Sequence, residues 1–243
     1  MLKYTMALSL FCGQKLNEHQ FVLHSDDAKH CIKSTRHRVN DHIYITDFSG
    51  IIYIGKILSD DLSHCLISIE EIAIENPALP KVNVAISPCS HPDRLEWFIE
   101  KSTEVGVHEI HLIQCSRTEK PFVKMDRLQK LCMAASKQTL RPSLPIIFPV
   151  RPFSEFCQNS ESPIKLLCHC DSNFNKTALR NNLIPSLDVV VAIGPEGDFS
   201  REEIMFSMSQ GFLLSDLGPQ RLRTETAGLV ATSIIQEFNF THS

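Results

Sequence analysis

Two glycine loops near the carboxyl end carry residues whose types and spacing suit chemistry. The first, Gly194-Pro195-Glu196-Gly197-Asp198-Phe199, follows the apolar run Val189 to Ile193 and leads into Ser200-Arg201-Glu202-Glu203. A glycine turn between a strand and a helix usually cradles phosphate, because free backbone N–H groups and the positive end of the helix dipole converge there. Two carboxylates in this turn would repel a phosphate. The second loop is Leu217-Gly218-Pro219-Gln220-Arg221-Leu222-Arg223-Thr224-Glu225-Thr226-Ala227. Neither loop has the Gly-Lys-Ser/Thr or the Gly-x-Gly-x-x-Gly spacing of the nucleotide-phosphate motifs. Acids in one loop and backbone in both suit a ligand rich in donors or positive charge: a ribose, an adenine edge or a sulfonium ion. Part of each loop is simple helix initiation. Ser200 with Glu203 reads as a capping box, and Glu225 complements a helix dipole. Capping leaves Gly-Pro-Glu-Gly unexplained.

The elements that must position these loops follow from periodicity. The first 75 residues read as β-rich, with His42 to Thr46 and Ile51 to Ile54 flanking the turn Asp47-Phe48-Ser49-Gly50, and Leu66 to Ile69 as a further strand. Met1 to Cys12 carries a faint signal-peptide look but is better explained as a first strand, its apolar core being short and broken by Ser9. Two prolines in Glu75-Asn76-Pro77-Ala78-Leu79-Pro80 mark a boundary. Beyond it, strands at 82–86, 110–113, 146–150, 164–168 and 189–193 alternate with helices from about Pro92, over about Lys124 to Leu140, and over 201–210 and 225–238. Gly106 is placed to cap the first of these helices, with Val107 the apolar residue after it. Such alternation predicts an α/β fold with a mostly parallel sheet covered on both faces. The division is a β domain over 1–75 and an α/β domain over 81–243. In such sheets ligands bind at the carboxyl ends of strands, and five of the nine glycines fall in the last fifty residues.

Composition bounds the partners. With 43% hydrophobic and 21% charged residues the chain is of the ordinary globular kind, and no apolar stretch approaches the roughly 20 residues that span a bilayer. The nine cysteines form no Cys-x-x-Cys pair, which predicts reduced thiols in a cytoplasmic setting. Cys168-His169-Cys170 is a poor metal site, since neighbours on a strand point to opposite faces. The net charge of −4 excludes a generic nucleic-acid coat. It hides two basic clusters. One has seven Lys or Arg against two acids between Cys115 and Arg141, and the other comprises Lys29, His30, Lys33, Arg36, His37 and Arg38. Both permit local contact with a polyanion.

Taken together, Gly194-Pro195-Glu196-Gly197, Leu217-Gly218, Leu222-Arg223-Thr224-Glu225-Thr226-Ala227 and Lys101-x-x-Glu104-x-Gly106-Val107 closely resemble the RsmE family. These are small-subunit (16S) ribosomal RNA uridine N3-methyltransferases of the SPOUT class. Gln138, Arg141 and Pro145 extend the resemblance, and His30 and Arg36 carry it into the β domain. The resemblance implies a PUA-like N-terminal barrel for RNA and a C-terminal domain threaded into a deep trefoil knot. It implies a homodimer that binds S-adenosylmethionine among the knot loops and acts on 16S rRNA within the small ribosomal subunit. By position, the cofactor residues are Gly194, Pro195, Glu196, Gly197, Leu217, Gly218, Leu222, Arg223, Thr224, Glu225, Thr226 and Ala227, with Leu167 and Cys168 as weaker candidates. His30, Arg36, Arg117 and Arg141 fall to RNA, phosphate or dimer contacts. Asp198 stands where many members have glycine, Gln220 where many have arginine, and Ser34-Thr35 replace an apolar pair.

Transfer to uracil N3 requires loss of the N3 proton, in-line approach and stabilisation of charge on the flanking carbonyl oxygens. A cation there favours the ionised base, and Arg223 is the candidate; Glu225 is the one general-base option, second to its reading as a cap of its own helix. N3 lies on the pairing edge, so the target must be unpaired or flipped out. Ribose 2′-O-methylation and a non-catalytic assembly role are the competing expectations.

Overall fold

The change of texture at the two prolines is also a change of fold. The computed structural model describes residues 9–119 and 122–242, so most of the strand expected over Met1 to Cys12 lies outside the described residues. The chain separates into a unit of Met1–Pro77 with Ser136–Leu144 and a unit of Ala78–Ala135 with Pro145–Ser243.

The first unit contains β1 (Leu10–Cys12), β2 (Gln14–Asn17), β3 (Gln20–His24), α1 (Ser25–Lys29), β4 (His42–Thr46), β5 (Ile51–Ile57) and β6 (His64–Glu75). The expected hairpin is β4 against β5, with Tyr44 opposite Ile54, and the expected strand at Leu66 lengthens into twelve-residue β6. The sheet runs β1-β4-β5-β6-β3-β2. Its two edge strands are consecutive in the chain, separated by Gly13 alone, so the sheet must curl until its edges approach. Gly13 fits that seam because a Cβ there would lie 2.8 Å from the Val22 carbonyl oxygen. Phe11, Phe21, Leu23, Ile43, Ile45 and Ile67 fill the inside. Residues 136–144 join this unit through Gly50 N–H donating to Pro142 O at 3.0 Å and a Lys137–Asp27 ion pair at 2.6 Å.

The second unit holds β7 (Val82–Ile86), α2 (Pro92–Val105), β8 (Glu109–Gln114), α3 (Met125–Gln138, its last turn counted with the first unit), β9 (Ile146–Pro152) and α4 (Phe153–Asn159). It continues through β10 (Ile164–Cys168), β11 (Thr177–Ala178), β12 (Val189–Ile193), α5 (Arg201–Ser209), β13 (Leu213–Asp216) and α6 (Thr224–His242). The seven strands lie in the order β11-β13-β10-β12-β7-β8-β9, and every pairing is parallel. Both faces are covered, which is why β12 reads as an unbroken apolar run, all five residues buried. Val84, Ile86 and Val191 face Phe98 of α2 and Ile235 of α6. Ala85, Leu167 and Ala192 face Phe156 of α4 and Ile204 of α5.

Two glycines are dictated by this packing. Gly106 ends α2 at φ +117°, and its N–H and that of Val107 both donate to Ser102 O at 3.0 Å. Gly228 lets α6 lie on α2; a Cβ there would sit 2.6 Å from Phe98 Cε2. β13 lies between β10 and β11, although those two are consecutive strands of the chain. No helix among the described residues is long and apolar enough to cross a membrane.

Candidate functional site

The carboxyl ends of β10, β12 and β13 stand side by side, so the loops that leave them (169–176, 194–200 and 217–223) converge. Between them lies a cleft of about 390 Å³, inside the range usual for small-molecule sites. Its walls mix apolar groups (Ile193, Leu217, Leu222, Ala227) with Lys176, Glu196, Asp198, Asp216, Arg221 and Arg223.

The loop after β12 is built from the inside out. Gly194 is needed because a Cβ there would press on the Phe199 ring at 3.0 Å. Pro195 O accepts the Asp198 N–H at 2.8 Å, closing a tight turn over Pro195-Glu196-Gly197-Asp198. Ser200 and Glu203 then form the expected capping box that opens α5. Thr224, buried in the first turn of α6, donates its hydroxyl to Gly194 O at 3.0 Å. That bond ties the two glycine loops together.

The carboxylates turn out to be structural. Glu196 Oε1 accepts from Ser90 N–H at 3.0 Å and Ser90 Oγ at 2.7 Å. Burial works to raise its pKa, but these Ser90 bonds prevail and hold it below the ordinary glutamate value. Asp198 Oδ2 accepts from Cys170 N–H at 2.7 Å and Oδ1 from Phe199 N–H at 2.8 Å. Asp198 sits at φ +64°, the left-handed region in which aspartate is among the better-tolerated residues, so a place suited to glycine is held by a side chain that bonds locally. Asp216 Oδ1 accepts from Gly218 N–H at 3.0 Å. The acids of the first loop therefore brace the walls through their hydrogen bonds while both still line the cleft.

Of the residues singled out in the sequence, Cys168, Gly194, Pro195, Glu196, Leu217, Gly218, Leu222, Arg223, Thr224 and Ala227 line the cleft. Gly197 lies just outside, against the Arg117 side chain, and Thr226 follows within α6. Leu167 points into the core on the α4–α5 face. Glu225 is buried behind the cleft, with Oε1 3.9 Å from Arg94 Nε and Oε2 without a hydrogen-bond partner. Arg223 is exposed on the rim. Arg221 reaches across to Glu196 O at 3.3 Å. Arg117 donates to Gly197 O at 2.7 Å. His30, Arg36 and Arg141 belong to the first unit, where His30 and Arg36 are exposed and Arg36 adopts φ +59°.

Sequence reasoning missed Asp198 as a brace, and it missed His169, Cys170 and Lys176. Lys176 Nζ donates to His169 O at 2.9 Å, which folds the 169–176 loop into a wall. The His169 ring is buried edge-on to Phe174, with neither ring nitrogen paired. Burial first, and then Lys176, lower its pKa. The only advance signal was the run of polar residues between two apolar strands.

Residues 75–236 match the RNA methyltransferase domain family. The ribosomal RNA small subunit methyltransferase E of Bacillus subtilis is 28% identical over 230 residues, covering 88% of this chain and 89% of its own. That of Aquifex aeolicus is 26% identical, covering 95% of this chain and all of its own. A crystal structure of a probable rRNA-methyltransferase from Porphyromonas gingivalis superposes with a TM-score of 0.89 at 30% identity, over 97% of this chain and all of that one. A ribosomal RNA small subunit methyltransferase E from Neisseria gonorrhoeae, crystallised with S-adenosyl methionine, shares the fold with a TM-score of 0.83 at 23% identity, over 96% and 98% of the two chains.

Proposed function

The chain belongs to the RsmE family of RNA methyltransferases, and from that premise we propose that it transfers a methyl group from S-adenosylmethionine to N3 of one uridine in small-subunit (16S) ribosomal RNA. The observation that carries the proposal is the convergence of the Gly194–Gly197 and Leu217–Ala227 loops on one cleft, tied by the Thr224–Gly194 bond. The cleft fits the cofactor. It offers apolar side chains for an adenosine, backbone at Gly218 that no side chain shields, and volume for a folded ligand, and it lacks a phosphate-binding loop.

Bound there, S-adenosylmethionine supplies an electrophilic methyl group on a sulfonium. The protein's own residues do the rest. The braced loops fix the cofactor's position, and such positioning is worth several kcal/mol, on the order of 7–11 at most. Arg223, exposed at the rim, is placed to meet a base brought to the mouth of the cleft, and its guanidinium stabilises charge spreading onto the uracil carbonyl oxygens. Glu225 faces inward toward Arg94 and serves the start of α6 rather than a proton transfer.

The curled sheet of the first unit is the PUA-like barrel in this proposal, and His30, Arg36 and Arg141 are its RNA contacts. The insertion of β13 between β10 and β11 supports a trefoil knot of the SPOUT kind. A homodimer working on ribosomal subunits in the cytoplasm completes the picture. The test is to incubate the protein with labelled cofactor and small subunits from cells lacking it, then map the product by mass spectrometry. Methyl on uracil N3 supports the proposal; methyl on a ribose, or none, overturns it.

A further inference from the structure

The turn that follows β8 is gripped at each of its side chains. Ser116 donates through N–H to Glu203 Oε1 at 2.7 Å and through its hydroxyl to Glu203 Oε2 at 3.1 Å. Thr118 Oγ1 accepts from Cys115 N–H at 2.9 Å and lies 2.8 Å from Ser87 Oγ, while Ser87 N–H donates to Ile193 O at 3.1 Å. Between them, Arg117 Nη1 donates to Gly197 O at 2.7 Å and to Phe199 O at 3.4 Å. Gly197 is closed over by the aliphatic part of the same side chain, since a Cβ there would meet Arg117 Cδ at 3.2 Å and Cβ at 3.3 Å.

Two carbonyls from the Gly194–Phe199 loop thus point at one guanidinium that comes from eighty residues earlier in the chain. We propose that Arg117 is a positioning residue of the cofactor loop: it holds the Pro195–Asp198 turn from the loop after β8, while Cys170 N–H, in the loop after β10, holds the same turn through Asp198 Oδ2. This inference rests on the reading of the cleft as an S-adenosylmethionine site. A carbonyl can only accept, so the side chain here must donate: a carboxylate is excluded, and a cationic donor makes the stronger, charge-assisted bond. One terminal nitrogen, Nη1, serves both oxygens, and the rigid guanidinium plane fixes its direction, whereas a lysine ammonium is a point charge on a flexible stem. The basic cluster around Arg117 points to RNA, but the geometry commits this exposed guanidinium to the Gly197 and Phe199 carbonyls.

The experiment measures cofactor affinity by calorimetry, affinity for a small-subunit rRNA fragment by fluorescence anisotropy, and steady-state constants, for wild type, Arg117→Ala and Arg117→Lys. The expected result for Arg117→Ala is a cofactor Kd raised about tenfold, the size of one charge-assisted hydrogen bond at an exposed site. KM for the cofactor should rise in parallel, with kcat nearly unchanged and RNA affinity within twofold. Arg117→Lys should recover part of the loss. Unchanged cofactor affinity overturns the proposal, and if RNA affinity falls instead, Arg117 is an RNA contact. Should Arg117→Ala fail to fold, Gly197→Ala, which pushes the same side chain aside, must raise the cofactor Kd, and an unchanged value there also overturns it. A wild type that binds no cofactor defeats the reading of the cleft before any variant is made.

Discussion

Replacing Asp198 separates two effects that oppose each other at one residue. The native carboxylate accepts two backbone N–H groups, from Cys170 and Phe199, and it does so from a left-handed backbone at φ +64°. Hydrogen bonds to a charged group contribute about 1.5–3 kcal/mol each, and at this half-buried position the lower end applies. Asp198→Ala loses both bonds and keeps a side chain in the left-handed region, so it should destabilise by about 3 kcal/mol. Asp198→Gly loses the same bonds but is free of the roughly 1 kcal/mol of conformational cost, so it should destabilise by about 2 kcal/mol. Asp198→Asn tolerates the backbone and retains one acceptor oxygen, for a loss of about 1 kcal/mol. The order Asn, Gly, Ala in denaturant midpoints is the expectation, and cofactor Kd, read by calorimetry, should weaken in the same order. If alanine proves as stable as glycine, the strain reasoning is wrong. If all three variants bind cofactor as wild type does, the link between Cys170 and the loop has no part in shaping the cleft.

Three further outcomes follow from the geometry. Arg223→Ala should abolish methyl transfer while leaving cofactor binding within a few fold, and wild-type turnover in that variant would remove Arg223 from the mechanism. Gly228→Ala should cost about 1–3 kcal/mol in chemical unfolding, because the added methyl meets Phe98 at 2.6 Å in a filled core; an unchanged midpoint would mean that α6 slides freely on α2. Stability should also fall as the pH drops from about 6.5 to 5.5. Burial and then Arg151 depress the pKa of His111, and burial and then Lys176 depress that of His169. The unfolded chain takes up these protons near pH 6.5 and the folded chain does not. Their contribution is therefore whole above pH 6.5 and drains as the pH falls, by at most about 1.4 kcal/mol per histidine per pH unit. His169→Phe should flatten that slope in thermal melts, and an equal slope would show that His169 is not among the groups responsible.

What the sequence made legible was what depends on neighbours in the chain. Short apolar or alternating runs placed β4, β5, β7 and β12, helical periodicity placed α2 and α6, and the Ser200–Glu203 spacing announced its own capping box. Gly106 and Val107 marked the end of α2 in the same way. Short elements escaped. β13 and β11 have four and two residues, too few for a period, and α4 follows β9 without a break. The assignment of 136–144 to the first unit rests on pairings such as Gly50 with Pro142, which no local pattern encodes. In the cleft, residue types were readable but directions were not. Glu196 and Asp198 advertised negative charge, yet their oxygens are taken up by Ser90, Cys170 and Phe199. Arg117 advertised positive charge, yet it faces Gly197. A sequence states which charges are present, and only the fold states what each one touches.

The place of β13 has a consequence in time. In synthesis β10, the 169–188 segment and β12 precede Leu213–Asp216, so β13 adds to the β10 edge late, and β11, whose only partner in the sheet is β13, can join only after it. Non-local addition of this kind is slow, because the entropy of closing the surrounding loop is lost before any pairing returns it. The same late step delivers Leu217 to Ala227 to the mouth of the cleft. The cleft is thus completed late in synthesis, and a chain cut short of Leu213 would hold β7 through β10 and β12 with one whole wall of the cleft missing.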